Sequence, residues 1–177
     1  MTIVNDLHMP VGEMLRLAGG NEVLLQAHGQ SNNERDMFLV RWDQDANQVR
    51  RTRVSANSWS IDACPMTYYS ISPDPRGFVA AWPTRGEICF SRLDGRGEPL
   101  FPEVKTPGKN GMRTGVLALS DSAGNALVTW TNDGQLGWQL YDPRGRPSGP
   151  AAIETSGKGV AGVVTSDDRF VVLRGHA

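Results

Sequence analysis

Apolar residues along this chain gather in strand-length runs, and polar turns rich in Gly, Pro, Asp and Asn separate them. The stretch from Thr114 to Thr155 shows the pattern best. Gly115 to Ser120, Asn125 to Thr131, Gln135 to Tyr141 and Pro150 to Thr155 read as four strands. Asp121-Ser122-Ala123-Gly124, Asn132-Asp133-Gly134 and Asp142-Pro143-Arg144-Gly145 separate them. These sequences suit tight turns, because Gly accepts a positive φ and Asp or Asn bonds its own backbone.

The same pattern stands 48 residues earlier, with no insertion between the copies. Trp82 returns as Trp130 and Gly86 as Gly134. Asp94, Gly97, Pro99 and Pro102 return as Asp142, Gly145, Pro147 and Pro150. The earlier copy supplies Met66 to Ser72, Phe78 to Trp82, Ile88 to Leu93 and Phe101 to Lys105, with Pro73-Asp74-Pro75-Arg76-Gly77 as its first turn. A more divergent copy supplies Glu13 to Ala18, Glu22 to His28, Met37 to Trp42 and Val49 to Val54, and its third strand aligns with Ile88 to Asp94 at an offset of 51. Val160 to Thr165 and Arg169 to Leu173 begin a fourth copy. A repeat of this length, built from short strands, predicts propeller blades. The expected fold is all-β, a β-propeller-like array of four-stranded antiparallel blades within one domain spanning 1–177. The blades fall at about 13–56, 64–107, 114–156 and 160–174, giving three and a half to four blades and 14 or 15 strands.

An unclosed fan of blades leaves sheet faces and strand edges uncovered. Two closures are open. Thr2 to Asn5 can pair beside Arg169 to Leu173 and finish a four-bladed ring, or two chains can complete a larger ring as a homodimer or part of a larger assembly. Val160 to Leu173 lacks the Trp residues of the other blades, which favours the dimer.

Composition narrows the function. Net charge is −1 with both signs interspersed, so nothing marks a nucleic-acid surface. The apolar runs are far too short for a membrane span. The N-terminus lacks the charged start and apolar stretch of a signal peptide, which reads as cytoplasmic for the chain as it stands and extracytoplasmic if it is a fragment. Cys64 and Cys89 fall in strands with one strand between them, roughly 9–10 Å apart. A disulfide needs Cα atoms within about 7 Å, so two free thiols are expected.

Candidate chemistry is sparse. Arg35 and Asp36 follow a long polar loop, Gly29 to Asp36, and read either as a ligand contact at the propeller mouth or as a structural ion pair or turn cap. Cys64, Met66 and His28 form a weak metal set, since soft sulfur suits Cu(I). They lack the spacing of a metal motif, and a buried Cys with a gap-filling Met is the ordinary reading. No Gly-rich segment opens a helix, so no nucleotide cofactor is expected. Trp82, Trp130 and Trp138 recur at equivalent or adjacent blade positions, with Phe90 matching Trp138; they can stack on sugar rings at a loop mouth, but repeated placement reads as packing between blades. Trp42 and Trp59 break the repeat and are better ligand candidates.

Arg35 to Val40, Trp59 to Met66, Ala80 to Trp82, Leu127 to Trp130 and Leu136 to Asp142 together resemble the C-terminal half of sialidase-like (BNR, or Asp-box) propeller proteins of environmental bacteria. The Asp-box turn, Ser-x-Asp-x-Gly-x-Thr-Trp, is matched only loosely around Asp43. The resemblance implies a site with three arginines clamping a carboxylate, a Tyr–Glu nucleophile pair and an acidic proton donor. Arg35, Arg41, Arg85, Arg92 and Arg113 stand as possible clamps and Tyr68 or Tyr69 as possible nucleophiles, in no recognisable active-site order. The expected function is a non-enzymatic binding or assembly module contacting a protein partner or a glycan. Its candidate contacts are Arg35, Asp36, Trp42, Trp59, Tyr68 and Tyr69. The alternative is a sialidase-type glycoside hydrolase complete only as an oligomer.

Overall fold

The computed structural model describes residues 12–16, 22–28, 34–43, 48–62, 68–109, 115–132, 134–154 and 159–175, with 12–16, 22–28, 42, 43 and 48 described by their backbone alone. Thr2 to Asn5, Cys64, Met66 and Arg113 lie outside them.

Every element among the described residues is a strand. The first sheet holds β1 (Gly12–Arg16), β2 (Glu22–His28), β3 (Asp36–Asp43) and β4 (Gln48–Arg53). The second holds β5 (Ser70–Asp74), β6 (Gly77–Thr84), β7 (Glu87–Asp94) and β8 (Val104–Lys109). The third holds β9 (Val116–Ser120), β10 (Ala126–Asn132), β11 (Gln135–Tyr141) and β12 (Ala152–Glu154). A two-stranded sheet, β13 (Val160–Val164) and β14 (Phe170–Arg174), follows. Strands pair in chain order, all antiparallel. The first strands of the sheets lie side by side in the order β1, β5, β9, β13. Sheets stacked face to face from a shared row of inner strands is the propeller arrangement.

Packing explains why the strands read as nearly continuous apolar runs: both faces of the second sheet are covered. Cys89 and Leu93 of β7 join Trp82, Ala80 and Ile71 in a core against Met37, Leu39 and Val54 of the first sheet. Ile88 and Phe90 of the same strand turn the other way, with Val79 and Ala81, onto Val116, Ala118, Val128, Trp130 and Tyr141 of the third sheet. Residues one apart on a strand thus serve different seams. Trp82 is fully buried and Trp130 nearly so, as fillers of these wedges.

Turns gather at one end of the array. Asp94 Oδ1 accepts the N–H groups of Arg96 and Glu98, and Asp142 Oδ1 accepts those of Arg144 and Arg146. Each turn closes on a glycine in the left-handed region, Gly97 at φ 88° and Gly145 at φ 77°. Both turns reach back onto the preceding sheet: a Cβ on Gly97 would lie 2.5 Å from Leu39, and one on Gly145 would lie 2.8 Å from Phe101. Only glycine fits both demands.

Most strand ends move by one or two residues from the sequence reading, and three departures have a physical reason. β5 runs through Pro73 and Asp74, leaving Pro75 and Arg76 as the turn. β8 begins at Val104, not Phe101, because the chain after Asp94 first folds back to bridge Leu93 with Pro99. Phe101 leaves the ladder and meets Phe90 edge-on at 6.4 Å. β12 starts at Ala152, not Pro150, after the matching bridge of Tyr141 with Pro147.

Candidate functional site

Antiparallel order puts the start of β3, the end of β4 and the start of β5 at the end of the array opposite the Asp turns. Arg35, Asp36, Trp59, Tyr68 and Tyr69 are gathered there. The Trp59 N–H donates to Asp36 Oδ1 at 3.0 Å, and the Arg35 N–H donates to the Trp59 carbonyl at 2.6 Å. Asp36 is buried and its other oxygen pairs with Arg53 at 2.9 Å. Its carboxylate is therefore committed to holding the loop after β4. The Arg35 guanidinium donates to the Glu34 carbonyl. Tyr69 is buried in the core between the first two sheets, whereas Tyr68 is 66% exposed. Trp42 sits six residues along β3 from Asp36, roughly 20 Å away at strand rise. The structure does not bring it to the others, and its side chain lies outside the described set. His28 pairs through its backbone with Asp36. Cys64 and Met66 lie outside the described residues, so the metal set has no geometry to report.

The seam between the second and third sheets holds a polar centre. Arg92 and Asp74 form an ion pair with both side chains fully buried. The Ser120 hydroxyl donates to the same Asp74 oxygen at 2.7 Å, the Arg76 N–H donates to Asp74 Oδ1 at 3.0 Å, and Arg92 reaches the Asp142 carbonyl at 3.5 Å. Burial lowers the pKa of Arg92, and Asp74 opposes that shift. Arg92 Nε finds no partner among the described residues. Among the possible clamps, Arg92 is thus enclosed between sheets, away from any substrate. Sequence carried a signal for this: Arg92 stands where the next repeat has Leu140.

A polar recess of about 310 Å³ opens beside β7 and β8, lined by Glu87, Cys89, Glu103 and Lys105 among others. Burial, then the Glu103 carboxylate, pushes the free Cys89 thiol well above its ordinary range. A thiol held protonated is a poor nucleophile and a poor metal ligand. Among the described residues no cluster of His, Cys, Asp and Glu is built to hold a metal ion.

Beyond β14 the forward face of the third sheet lies open. A groove of about 450 Å³ is lined by Leu127, Leu136, Trp138 and Leu140 on one side and Phe170 and Val172 on the other. The Arg174–Glu154 ion pair spans its mouth. The residues 48 positions earlier, Val79, Ile88, Phe90 and Arg92, are all buried under the third sheet. The same face is therefore a sealed seam in one repeat and a groove in the next. On the back of β13 and β14, Val163, Val171 and Leu173 are exposed at 58%, 40% and 67%. The sequence reading missed the groove because Leu136, Trp138 and Leu140 look like core residues.

No family model matches the chain, and no curated protein matches it. Among solved structures it is similar to one described as the structure of the Dos1 propeller, with a TM-score of 0.52 and 18% identity. That match covers 89% of this chain and 39% of the other, so the chain spans well under half the length of that propeller. The likeness supports a propeller fold and carries no sign of sialidase or Asp-box kinship. No helix among the described residues is long and apolar enough to cross a membrane.

Proposed function

We propose that this chain is a non-enzymatic binding and assembly module whose working surface is the groove between the third and fourth sheets. One observation carries this reading. A face that is fully buried in the preceding repeat here has Trp138 and Leu140 only half-buried, beside a sheet that is two-stranded among the described residues. Covering such a face releases water from apolar surface, and open sheet edges invite pairing. The occupant is a polypeptide: a protein partner, or a second copy as in a homodimer. Three of the groups an enzyme reading would use are spent elsewhere, Asp36 on its loop, Arg92 on Asp74 and Tyr69 in the core.

Radical footprinting combined with solution mass tests the proposal. A single-chain mass with Trp138 oxidised much faster than Trp130 fits it, and so does a two-chain mass with Trp138 shielded. A single-chain mass with Trp138 shielded as fully as Trp130 contradicts it, because the groove is then filled from within.

The exposed ring of Tyr68 supports a second surface, a glycan contact at the loop-bearing end beside Trp59. Binding on a glycan array that Tyr68→Ala removes would support it. Turnover of a fluorogenic sialoside, lost in Tyr68→Phe, would instead favour the hydrolase alternative.

A further inference from the structure

We propose that the polar recess beside β7 and β8 binds a free α-amino acid, whose ammonium group donates to the Glu103 carboxylate and whose carboxylate pairs with Arg85. The recess shares no lining residue with the groove, and the proposal stands apart from the assembly reading.

The repeat shows how the recess arises. In the third sheet Trp130 stands directly opposite Gly137. Its indole crowds both Gly137 and Gly108: a Cβ would come within 2.2 Å of the ring at the first and 2.6 Å at the second. In the second sheet Trp82 stands opposite Cys89 in the same two slots. Cys89 carries the carbon that Gly137 lacks, so the Trp82 indole is shut out of the matching place. Trp82 is fully buried instead in the core that holds Met37, Leu39 and Val54, and its Nε1 finds no partner among the described residues. The space that an indole fills in one repeat is thus left over Cys89 in the other, as a recess of about 310 Å³. That volume suits a small molecule.

The lining is charged where the next repeat is neutral. Glu87, Glu103 and Lys105 stand 48 residues before Gln135, Ala151 and Ile153. Glu87 and Lys105 are spent on each other at 2.6 Å. Two charges are left for a guest. Glu103 is half-buried; its Oε2 accepts the Ala56 N–H at 3.3 Å, and the Cys89 thiol lies against the same carboxylate. A carboxylate has about four acceptor sites, so Glu103 keeps capacity for an ammonium group. Arg85 is exposed and forms no ion pair among the described residues.

The backbone adds a second sign at Arg85. It occupies the tip of the β6–β7 hairpin at φ 51°, a left-handed conformation uncommon for a long side chain. The next repeat has Asp133 at this place, a residue that such a turn accepts more readily. A strained residue kept at the mouth of a recess points to a use for its side chain. A lone anion in this recess would face Glu87 and Glu103, and a lone cation would face Arg85 and Lys105. A guest carrying both signs at short spacing leaves neither unpaired, and an α-amino acid is the smallest such group.

An amide-shift titration of the isotope-labelled full chain with each standard amino acid, up to millimolar concentration, tests this. At least one is expected to bind and to move the amides of Arg85, Glu87, Cys89 and Lys105. Its N-acetyl and carboxamide derivatives should each bind about tenfold more weakly, since each loses one charged contact. Glu103→Gln should weaken the parent amino acid about tenfold and leave the N-acetyl form unchanged. Arg85→Ala should weaken the parent likewise and leave the carboxamide form unchanged. Cys89→Gly should let the Trp82 indole take the Trp130 pose, so that tryptophan fluorescence changes and binding is lost. If that variant does not fold, the Glu103 and Arg85 variants carry the test, because both side chains reach solvent. No binding by any amino acid, or shifts confined to other strands, would overturn the proposal. So would a carboxamide that binds as well as its parent, the mark of a peptide N-terminus, or an N-acetyl form that does so, the mark of a simple anion site.

Discussion

The two forward faces of the second and third sheets descend from the same repeat and have opposite fates. On the second sheet, Val79, Ala81, Ile88 and Phe90 are fully buried, and an ion pair with its hydroxyl and carbonyl partners is enclosed beside them. On the third sheet, Leu136, Trp138 and Leu140 meet only part of a neighbour. The faces differ in chemistry chiefly where Arg92 gives way to Leu140, and, among the described residues, in having four strands opposite one and two opposite the other. Burial in a propeller is set by the next sheet as much as by the strand itself.

The largest effect expected within this comparison comes from breaking the closed seam. Asp74→Ala leaves the Arg92 guanidinium buried without its counter-ion and should cost about 3–5 kcal/mol in urea unfolding. Replacing both residues by apolar ones of similar size should cost far less than the single change. If the single variant unfolds at the wild-type midpoint, the seam is hydrated and the contrast collapses.

Next comes crowding of a closed wedge. Gly137→Ala sets a methyl group against the Trp130 indole and should cost about 1–3 kcal/mol, with a change in tryptophan fluorescence.

Acid should act at the turn end of both seams. The pKa of Asp94 is lowered chiefly by the Glu98 N–H, and that of Asp142 chiefly by the Arg146 N–H. Depressed carboxylates add stability above their unfolded value, about 4, and lose it as the pH falls through the lower folded values. Exchange of the Glu98 and Arg146 amides should therefore quicken selectively below about pH 4. Equal quickening across all amides would show global acid unfolding instead.

The smallest effect belongs to the open side. Leu173→Ser, on the exposed back of β14, should shift stability by no more than about 0.5 kcal/mol. A loss of several times that would mean Leu173 is covered in solution.

Much of this fold was legible. The exact 48-residue spacing of Trp82 and Trp130, and of Asp94 and Asp142, carried the four-stranded plan because each sheet must fill the same wedge and turn on the same Asp and Gly. The edges were less legible. Phe101 looks like a strand residue, yet the back-folded Pro99 bridge expels it from the ladder. The site was least legible. Asp36 and Tyr69 are polar or amphipathic residues that tertiary contacts absorb, whereas Trp138 and Leu140 look like core and are only half-buried. Sequence patterning reports how a strand alternates, not whether its neighbouring sheet is complete.

The most direct measurement compares amide exchange at Val128, in the centre of the third sheet, with that at Val172, facing outward from β14. The account predicts strong protection at Val128 and near-unprotected exchange at Val172 in the free single chain. Matching protection at the two would contradict it.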